Sequence, residues 1–87
     1  APKFTVTMGV MPDYTYQGEG MRLDGVTPGK PAANAGLKEG DVVLQLGELT
    51  ITDMMSYMKA LSNFKKGDKT TVIYQRGKEK LSADVQF

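Results

Sequence analysis

The chain has 87 residues and a net charge of +1, with 40% hydrophobic and 24% charged residues. This length suits one small globular domain, 1–87, which we expect to be a fragment of a longer protein because it begins at Ala1 without methionine. The balanced charge indicates neither nucleic acid nor a membrane surface as a partner, and no apolar run could span a bilayer. Histidine and cysteine are both absent. We therefore expect no metal and no cofactor.

The first third of the sequence predicts three strands. Residues Phe4–Met8, FTVTM, alternate large apolar residues with threonine, which is typical of a strand. Val10–Tyr16 predicts a second extended segment, and Pro12 restricts it to a sheet edge or to partial pairing because proline has no N–H to donate. After a turn at 17–20, Met21–Val26 predicts the third strand.

The middle of the sequence predicts a short helix between two loops, followed by two strands. Pro31 suits the first helical position, alanines follow it, and Gly36 suits the left-handed conformation that ends a helix. Residues 41–46, DVVLQL, predict a buried strand, and residues 49–51, LTI, predict a short one after a glycine-containing turn.

The last third predicts a longer helix and a hairpin. Thr52 or Asp53 caps a helix that runs to about Phe64. Its apolar residues form one stripe at helical spacing, namely Met54, Tyr57, Met58, Leu61 and Phe64. The strands 69–75 and 79–87 flank a turn at Arg76, Gly77 and Lys78. Their alternating inward candidates are Val72, Tyr74, Leu81, Val85 and Phe87. The pattern as a whole predicts an α+β fold.

Three short motifs resemble parts of enzyme sites but lack essential features. The segment GVTPGK, 25–30, has three residues between its glycines where a phosphate loop has four, and Pro31 replaces the magnesium-binding Ser or Thr. Ser56 and Lys59 share a helix face, but the other motifs of a Ser–Lys hydrolase are missing. Asp41, which follows a glycine, is better explained as a turn residue than as a general base. The segment itself is therefore not expected to be an enzyme, and a Ser–Lys hydrolase fragment is the weakest alternative.

Residues 28–51, PGKPAANAGLKEGDVVLQLGELTI, resemble the PDZ domains of bacterial proteases. That family follows roughly x-P-G-x-P-A-x-x-A-G-L-x-x-G-D, then a hydrophobic strand and a glycine-containing turn. The matching residues are Pro28, Gly29, Pro31, Ala32, Ala35, Gly36, Leu37, Gly40 and Asp41. A narrower resemblance, to the PDZ module appended to bacterial di-zinc aminopeptidases, rests on MGVMPDY, 8–14, and SYMKAL, 56–61. The resemblance implies a partly open β-barrel of five to six strands with one short and one long helix. It also implies an extracytoplasmic location in a bacterium, in the periplasm or cell envelope.

The resemblance further implies a non-catalytic peptide-binding module of a bacterial protease. PDZ domains add a peptide or protein C-terminus as a strand beside an edge strand and against a helix, with the carboxylate in a loop of backbone N–H groups. The implied groove residues are Thr7, Met8, Gly9, Val10 and Met11 on the strand side, and Met54, Met58 and Leu61 on the helix, with Met55 possible if the register is shifted by one. Gly9 lets the backbone approach the carboxylate, while Met8 and Val10 form the floor of a pocket for the last side chain.

The chain also departs from the family pattern. Pro12 removes one donor from the groove strand, so strand addition is expected to be short. Met54 or Asp53 stands where the family has a histidine at the helix start, so a Ser or Thr preference two residues before the peptide end is not expected. No basic residue is assigned beside the carboxylate, although Lys3 is near in sequence. Two alternatives stay open: Gly9 is only a bend and the methionines are core, or the groove docks the parent's own chain, including its peptidase domain.

Overall fold

The computed structural model describes residues 6–87, which form a six-stranded antiparallel sheet and two helices. The strands are β1 Val10–Pro12, β2 Met21–Val26, β3 Val42–Leu46, β4 Leu49–Thr50, β5 Lys69–Arg76 and β6 Glu79–Gln86, and the helices are α1 Pro31–Asn34 and α2 Met54–Leu61. The sheet order is β1-β2-β3-β5-β6, and β4 pairs with β3. The expected α+β fold, a partly open barrel with one short and one longer helix, is confirmed.

The core forms from alternating side chains of the strands and from one face of α2, as their periodicities predict. Its larger members are Met8, Met21, Leu23, Leu37, Val43, Leu46, Ile51, Tyr57, Leu61, Val72, Tyr74 and Val85. Burying one such side chain contributes roughly 1.5–3 kcal/mol to folding. In the hairpin, Val72, Tyr74 and Val85 are buried as predicted, whereas Leu81 and Phe87 are only half-buried.

The short helix α1 begins and ends where the sequence predicted. Pro31 is its first residue, and the backbone at Gly36, just beyond its end, has φ +97°. That conformation is strained for residues with a side chain and open to glycine. The prediction of a left-handed glycine after α1 is therefore confirmed.

The longer helix α2 begins where predicted but ends one turn early. Asp53 is its N-cap and accepts a hydrogen bond from the Ser56 N–H at 2.8 Å. The helix was predicted to reach Phe64, but it ends at Leu61 because the next residues form tighter turns, with the Phe64 N–H donating to the Leu61 C=O. The Phe64 ring instead stacks on Phe87, with ring centroids 5.2 Å apart. Neither α1 nor α2, the helices of residues 6–87, could cross a membrane.

The N-terminal segments are shorter than the sequence predicted. Phe4 and Thr5 of the predicted strand 4–8 lie outside the described residues, and the prediction is wrong for residues 6–8, which form no strand. The C=O of Met8 instead accepts from the Ala32 N–H of α1 at 2.9 Å. The extended segment predicted to reach Tyr16 ends at Pro12, because Asp13 starts a turn in which its Oδ1 accepts from the Thr15 N–H at 2.9 Å.

Candidate functional site

The strand β1 lies at the edge of the sheet, as Pro12 predicted, and pairs with β2. The C=O of Gly9 and the N–H of Asp13 both bond to residues on the β2 side, at 2.8 and 2.9 Å. Since alternate residues of an antiparallel strand face the partner strand, the backbone groups of Val10 and Pro12 face the other way. At that edge Val10 has both an N–H and a C=O for an added strand, whereas Pro12 has only a C=O.

The loop before β1 has the backbone conformation that a close approach to a ligand requires. Gly9 has φ +71°, a conformation that glycine adopts without strain. Its N–H donates to Thr7 Oγ1 at 3.0 Å, in an exposed contact. The carbonyls of Met8 and Gly9 are used inside the fold, where they accept N–H groups at 2.9 and 2.8 Å. A carboxylate that replaced the Thr7 hydroxyl would therefore meet an N–H donor without displacing these internal bonds.

Lys30 lies directly against this loop, which the sequence analysis did not anticipate. A Cβ atom at Gly9 would lie 2.6 Å from Lys30 Cγ and closer still to Lys30 Cβ. Lys30 is exposed, and its ammonium makes no hydrogen bond or ion pair with any residue of the described range 6–87. Lys3, the basic residue near in sequence, lies outside that range. The structure thus packs the stem of an exposed lysine on the glycine of the loop.

The proposed groove residues divide into buried and accessible positions. Met8 is fully buried and Leu61 nearly so, at 0% and 7% exposure, and both belong to the core. Val10 and Met54 are half-buried against the same core. The more exposed positions are Met58 at 41%, Met11 at 55% and Met55 at 79%. Among the proposed groove residues, the accessible apolar surface therefore comes from Val10, Met11, Met54, Met55 and Met58, whereas Met8 and Leu61 lie within the core.

Met11 has a different environment from its neighbours in β1. Successive side chains of a strand point to opposite faces, so Met11 lies opposite Val10 and Pro12. Its Cε lies against Gly25, where an added Cβ atom would be 2.6 Å away. Met11 therefore covers the β1–β2 ribbon, on the face opposite the side chains of Val10 and Pro12.

A cleft of about 300 Å³ opens where β1 ends and α2 begins. Pro12 and Met54 line it from the strand and the helix, and the β1–β2 loop closes it. A hydrogen bond from the Gly20 N–H to the Thr52 C=O, at 3.1 Å, ties this loop to the start of α2. The cleft and the Gly9 loop therefore lie at opposite ends of β1.

Two carboxylates in the cleft are ionised at neutral pH. Hydrogen bonds from the side chain and backbone of Thr15, together with Arg22, hold the pKa of Asp13 below its ordinary value. Hydrogen bonds from the backbone and side chain of Ser56 lower the pKa of Asp53. Asp13 also forms an ion pair with Arg22, whose Nη1 is 2.8 Å from Asp13 Oδ2.

The remaining candidate catalytic groups have structural partners. Ser56 Oγ accepts hydrogen bonds from the N–H groups of Thr52 and Asp53 at 2.9 and 3.0 Å, and donates to the Asp53 C=O at 2.9 Å. This hydroxyl therefore completes the N-cap of α2 instead of facing Lys59. Asp41 is buried and bonded to Arg76 and to the Lys38 N–H. Within residues 6–87 no group of three acidic side chains is placed to hold a metal ion.

Comparison with known proteins identifies the family to which the chain belongs. Residues 6–87 match the family model described as PDZ domain. The chain is 36% identical over 68 residues to the serine protease Do-like HtrA of Lactococcus lactis subsp. lactis (strain IL1403), an alignment that covers 78% of this chain and 17% of that protein. It is 30% identical over 73 residues to the serine protease HTRA1 of Xenopus tropicalis, covering 84% of this chain and 15% of that protein. These relatives are serine proteases and not di-zinc aminopeptidases.

Solved structures with the same fold come from two kinds of peptidase. An aminopeptidase N family protein from Idiomarina loihiensis has a TM-score of 0.85 at 23% identity, covering 95% of this chain and 14% of that one. The HtrA-type protease AlgW, in a structure with a decapeptide, has a TM-score of 0.83 at 22% identity, covering 94% of this chain and 28% of that one. The chain spans less than a fifth of the length of the curated relatives, at 17% and 15%. The chain belongs to the PDZ domain family.

Proposed function

We propose that this PDZ domain, a non-catalytic binding module, binds the free C-terminus of a peptide or protein as a strand added to the open edge of β1. The observation that carries the proposal is the position of Gly9. It holds a left-handed backbone at the start of an edge strand and packs against Lys30, whose ammonium has no partner within residues 6–87. An N–H donor in an exposed contact, with the stem of an exposed lysine on the same glycine, suits an anionic chain end.

The ligand carboxylate takes the place of the Thr7 hydroxyl at the Gly9 N–H. The adjoining N–H groups of the loop Thr7, Met8, Gly9 and Val10 complete its site, and Lys30 adds a positive charge. Exchange of one exposed acceptor for another keeps the internal bonds of the loop intact. A charged acceptor forms the stronger hydrogen bond, so the exchange favours a free acid over an amide.

The last side chain of the ligand is apolar and lies between β1 and α2. Val10 and Met58 supply the accessible surface, and the buried Met8 and Leu61 support it from below, while Met54 lies further along the groove, at the cleft where β1 ends. Methionine side chains are flexible and fill irregular spaces, so we expect more than one apolar residue to be accepted. Because Pro12 has no N–H, the added strand pairs over about two residues of β1.

The parent protein is proposed to be a bacterial protease. The serine protease relatives favour an HtrA-type parent, while the MGVMPDY and SYMKAL segments resemble the PDZ module of di-zinc aminopeptidases. An extracytoplasmic location in a bacterium rests on this family resemblance alone. A docking role, in which the groove holds a segment of the parent chain or its peptidase domain, remains an alternative use of the same surface.

Titration with matched peptides tests the proposal. Short peptides with an apolar last residue, prepared as free acids and as C-terminal amides, are added while backbone amide chemical shifts are recorded. We expect the free acid to bind with an affinity on the order of micromolar or weaker, because the interface is small and the ligand must be ordered. The amide should lose most of the binding. Equal binding of both forms, or shifts that avoid residues 8–11 and α2, would refute the proposal.

A further inference from the structure

The cleft between the end of β1 and the start of α2 has a mixed aromatic and acidic lining. Its rings are Tyr14, which is 77% exposed, and Tyr16, which is 36% exposed. Tyr16 is held in place, because its ring packs over Gly18 and its hydroxyl donates to the Glu19 C=O at 3.3 Å. The cleft therefore presents a positioned aromatic surface and is not simply a gap between loops.

The charge of the cleft is negative once internal pairs are considered. Asp13 and Arg22 neutralise each other at 2.8 Å, and Asp24 lies 3.4 Å from the same Nη1 atom of Arg22. Asp53 has no cationic partner among the described residues, and its Oδ1 accepts the Ser56 N–H of α2 at 2.8 Å. Its carboxylate oxygens retain lone pairs beyond this bond. Within residues 6–87, the cleft thus holds one negative charge that lacks a cationic side chain as partner, beside two tyrosines, Pro12 and Met54.

The direction of the ligand brings its upstream residues to this cleft. If the carboxylate lies at Gly9, an antiparallel strand extends from there along β1 toward Pro12. A strand advances about 3.3 Å per residue, so the third or fourth residue before the ligand end lies level with Pro12. Pro12 has no N–H to donate to the added strand. Beyond this residue the ligand therefore contacts the domain through its side chains.

We infer that this cleft is a subsite for a basic side chain, lysine or arginine, about four residues upstream of the ligand C-terminus. The inference rests on the proposed function, since it takes the position and direction of the ligand from it. Both the methylene groups and the charged end of a long basic side chain suit the residues that line the cleft. Its methylene groups pack on Pro12 and Met54, and its cation lies near the tyrosine rings and Asp53. A glutamate at the same position would meet Asp53 and an Arg22 that is already paired.

Free-acid peptides that share an apolar last residue and differ only upstream provide the test. Each of the third, fourth and fifth residues from the end is made lysine, glutamine or glutamate in turn, and dissociation constants are compared at low and high salt. We expect lysine at one of these positions to bind about two- to fivefold tighter than glutamine, with glutamate weakest. The difference between lysine and glutamine should shrink at high salt.

Matched variants locate the effect. Asp53→Asn keeps an N-cap residue of similar strength while removing the charge, so α2 should remain folded. It should reduce the ratio between the affinities for the lysine and the glutamine peptides. Glu48→Gln removes an acidic charge from the β3–β4 turn, outside the cleft, and should leave the preference intact. Tyr14→Ser should weaken the preference as well, because Tyr14 is exposed and its loss does not open the core.

The outcomes distinguish the two proposals. If free acids bind better than amides but lysine, glutamine and glutamate are equivalent at every upstream position, the basic subsite is refuted and the C-terminal groove stands. A glutamate preference would also refute it and would assign the cleft to Arg22. If neither acid nor amide binds, the proposed function itself fails. A lysine preference that persists in Asp53→Asn and Tyr14→Ser would place the basic subsite elsewhere.

Discussion

The guanidinium of Arg76 holds the carboxylate of Asp41 through two parallel hydrogen bonds, from Nε to Oδ1 at 2.8 Å and from Nη2 to Oδ2 at 2.7 Å. Asp41 is 1% exposed, and its Oδ2 also accepts the Lys38 N–H at 2.8 Å. Arg76 Nη2 donates further to the Gly36 C=O at 3.0 Å. The pair therefore holds the segment that follows α1 against the end of β5. Because both oxygens of the buried carboxylate accept hydrogen bonds within the fold, Asp41 has a structural role and does not act as a general base.

Removing the charge of Asp41 should destabilise the domain. In Asp41→Asn the planar pairing with Arg76 is lost, and a buried amide cannot satisfy the same donors. We expect a loss of about 1–3 kcal/mol in the free energy of unfolding at neutral pH, since Arg76 is partly exposed and can rehydrate. Urea denaturation measures this loss. Asp24→Asn, at an exposed carboxylate, serves as the control and should change stability little.

The contribution of Asp41 should disappear in acid. Burial alone would raise the pKa of Asp41, but the hydrogen bonds from Arg76 and Lys38 and the charge of Arg76 hold it below the ordinary value. A depressed pKa stabilises the fold fully above the unfolded value of about 3.9, and this contribution is lost as the pH falls through the folded value. The stability difference between the native chain and Asp41→Asn should therefore shrink below about pH 4. A difference that stays constant to pH 2 would contradict the role of this pair.

Substitutions at Gly36 should destabilise the domain by the amount that a positive φ costs the new residue. A Cβ atom there would meet nothing within 4 Å, so any loss comes from the backbone at φ +97° and not from crowding. Gly36→Val should cost roughly 1–3 kcal/mol of stability. Gly36→Asn should cost less, because asparagine enters the left-handed region more readily. Equal melting temperatures for Gly36→Val and the native chain would show that the position is unstrained.

Ser56 should matter for stability and not for hydrolysis. Ser56→Ala removes the hydroxyl that caps the N–H of Asp53, and should cost about 1 kcal/mol of folding free energy. Ser56→Gln, which can form the same capping box, should recover part of that loss. Incubation with peptide and ester substrates should give no turnover in the native chain. Turnover that vanished in Ser56→Ala would restore the Ser–Lys hydrolase alternative.

Met58 and Met55 offer a matched pair on one helix. Met58→Lys places a charge at the proposed pocket and should weaken binding of an apolar free-acid peptide by about tenfold, equivalent to about 1.4 kcal/mol. Met55 is 79% exposed against 41% for Met58, so Met55→Lys should change affinity by less than about twofold. The dissociation constants from amide-shift titrations decide between them. A larger loss of affinity in Met55→Lys than in Met58→Lys would show that the α2 residues facing the groove are shifted by one position in the sequence.

Lys30 should act on the ligand carboxylate specifically. Lys30→Met keeps the stem that covers Gly9 but removes the ammonium, and should weaken the free-acid peptide about two- to fivefold. Any residual binding of the amide form should not change. Lys38→Met, at an exposed lysine after α1, is the control. If the salt dependence of free-acid binding were the same in Lys30→Met and the native chain, Lys30 would have no electrostatic part in binding.

Local sequence signals determined much of the fold. Pro31 and Gly36 mark the limits of α1 because each has a backbone preference that neighbours do not override. Asp53 and Ser56 set the start of α2 through bonds within one turn. Pro12 placed β1 at an edge because a missing N–H excludes the interior of a sheet. The same local reasoning failed at residues 6–8, whose alternation suggested a strand. The Met8 carbonyl bonds to Ala32, a partner far along the chain.

Only the tertiary structure decided which side chains meet. No spacing in the sequence indicates that Lys30 packs on Gly9, since that contact depends on α1 folding back over the loop before β1. The exposure of Met55 and Met58 beside the buried Leu61 likewise depends on how α2 is rotated against the sheet, and the burial of Met8 depends on the packing of the loop before β1. Arg76 bonds to Asp41, 35 residues away in the sequence, because the packing of β5 against the segment after α1 brings them together. Caps and turns form from bonds between near neighbours, whereas a binding site needs groups that only the packing of distant segments brings together.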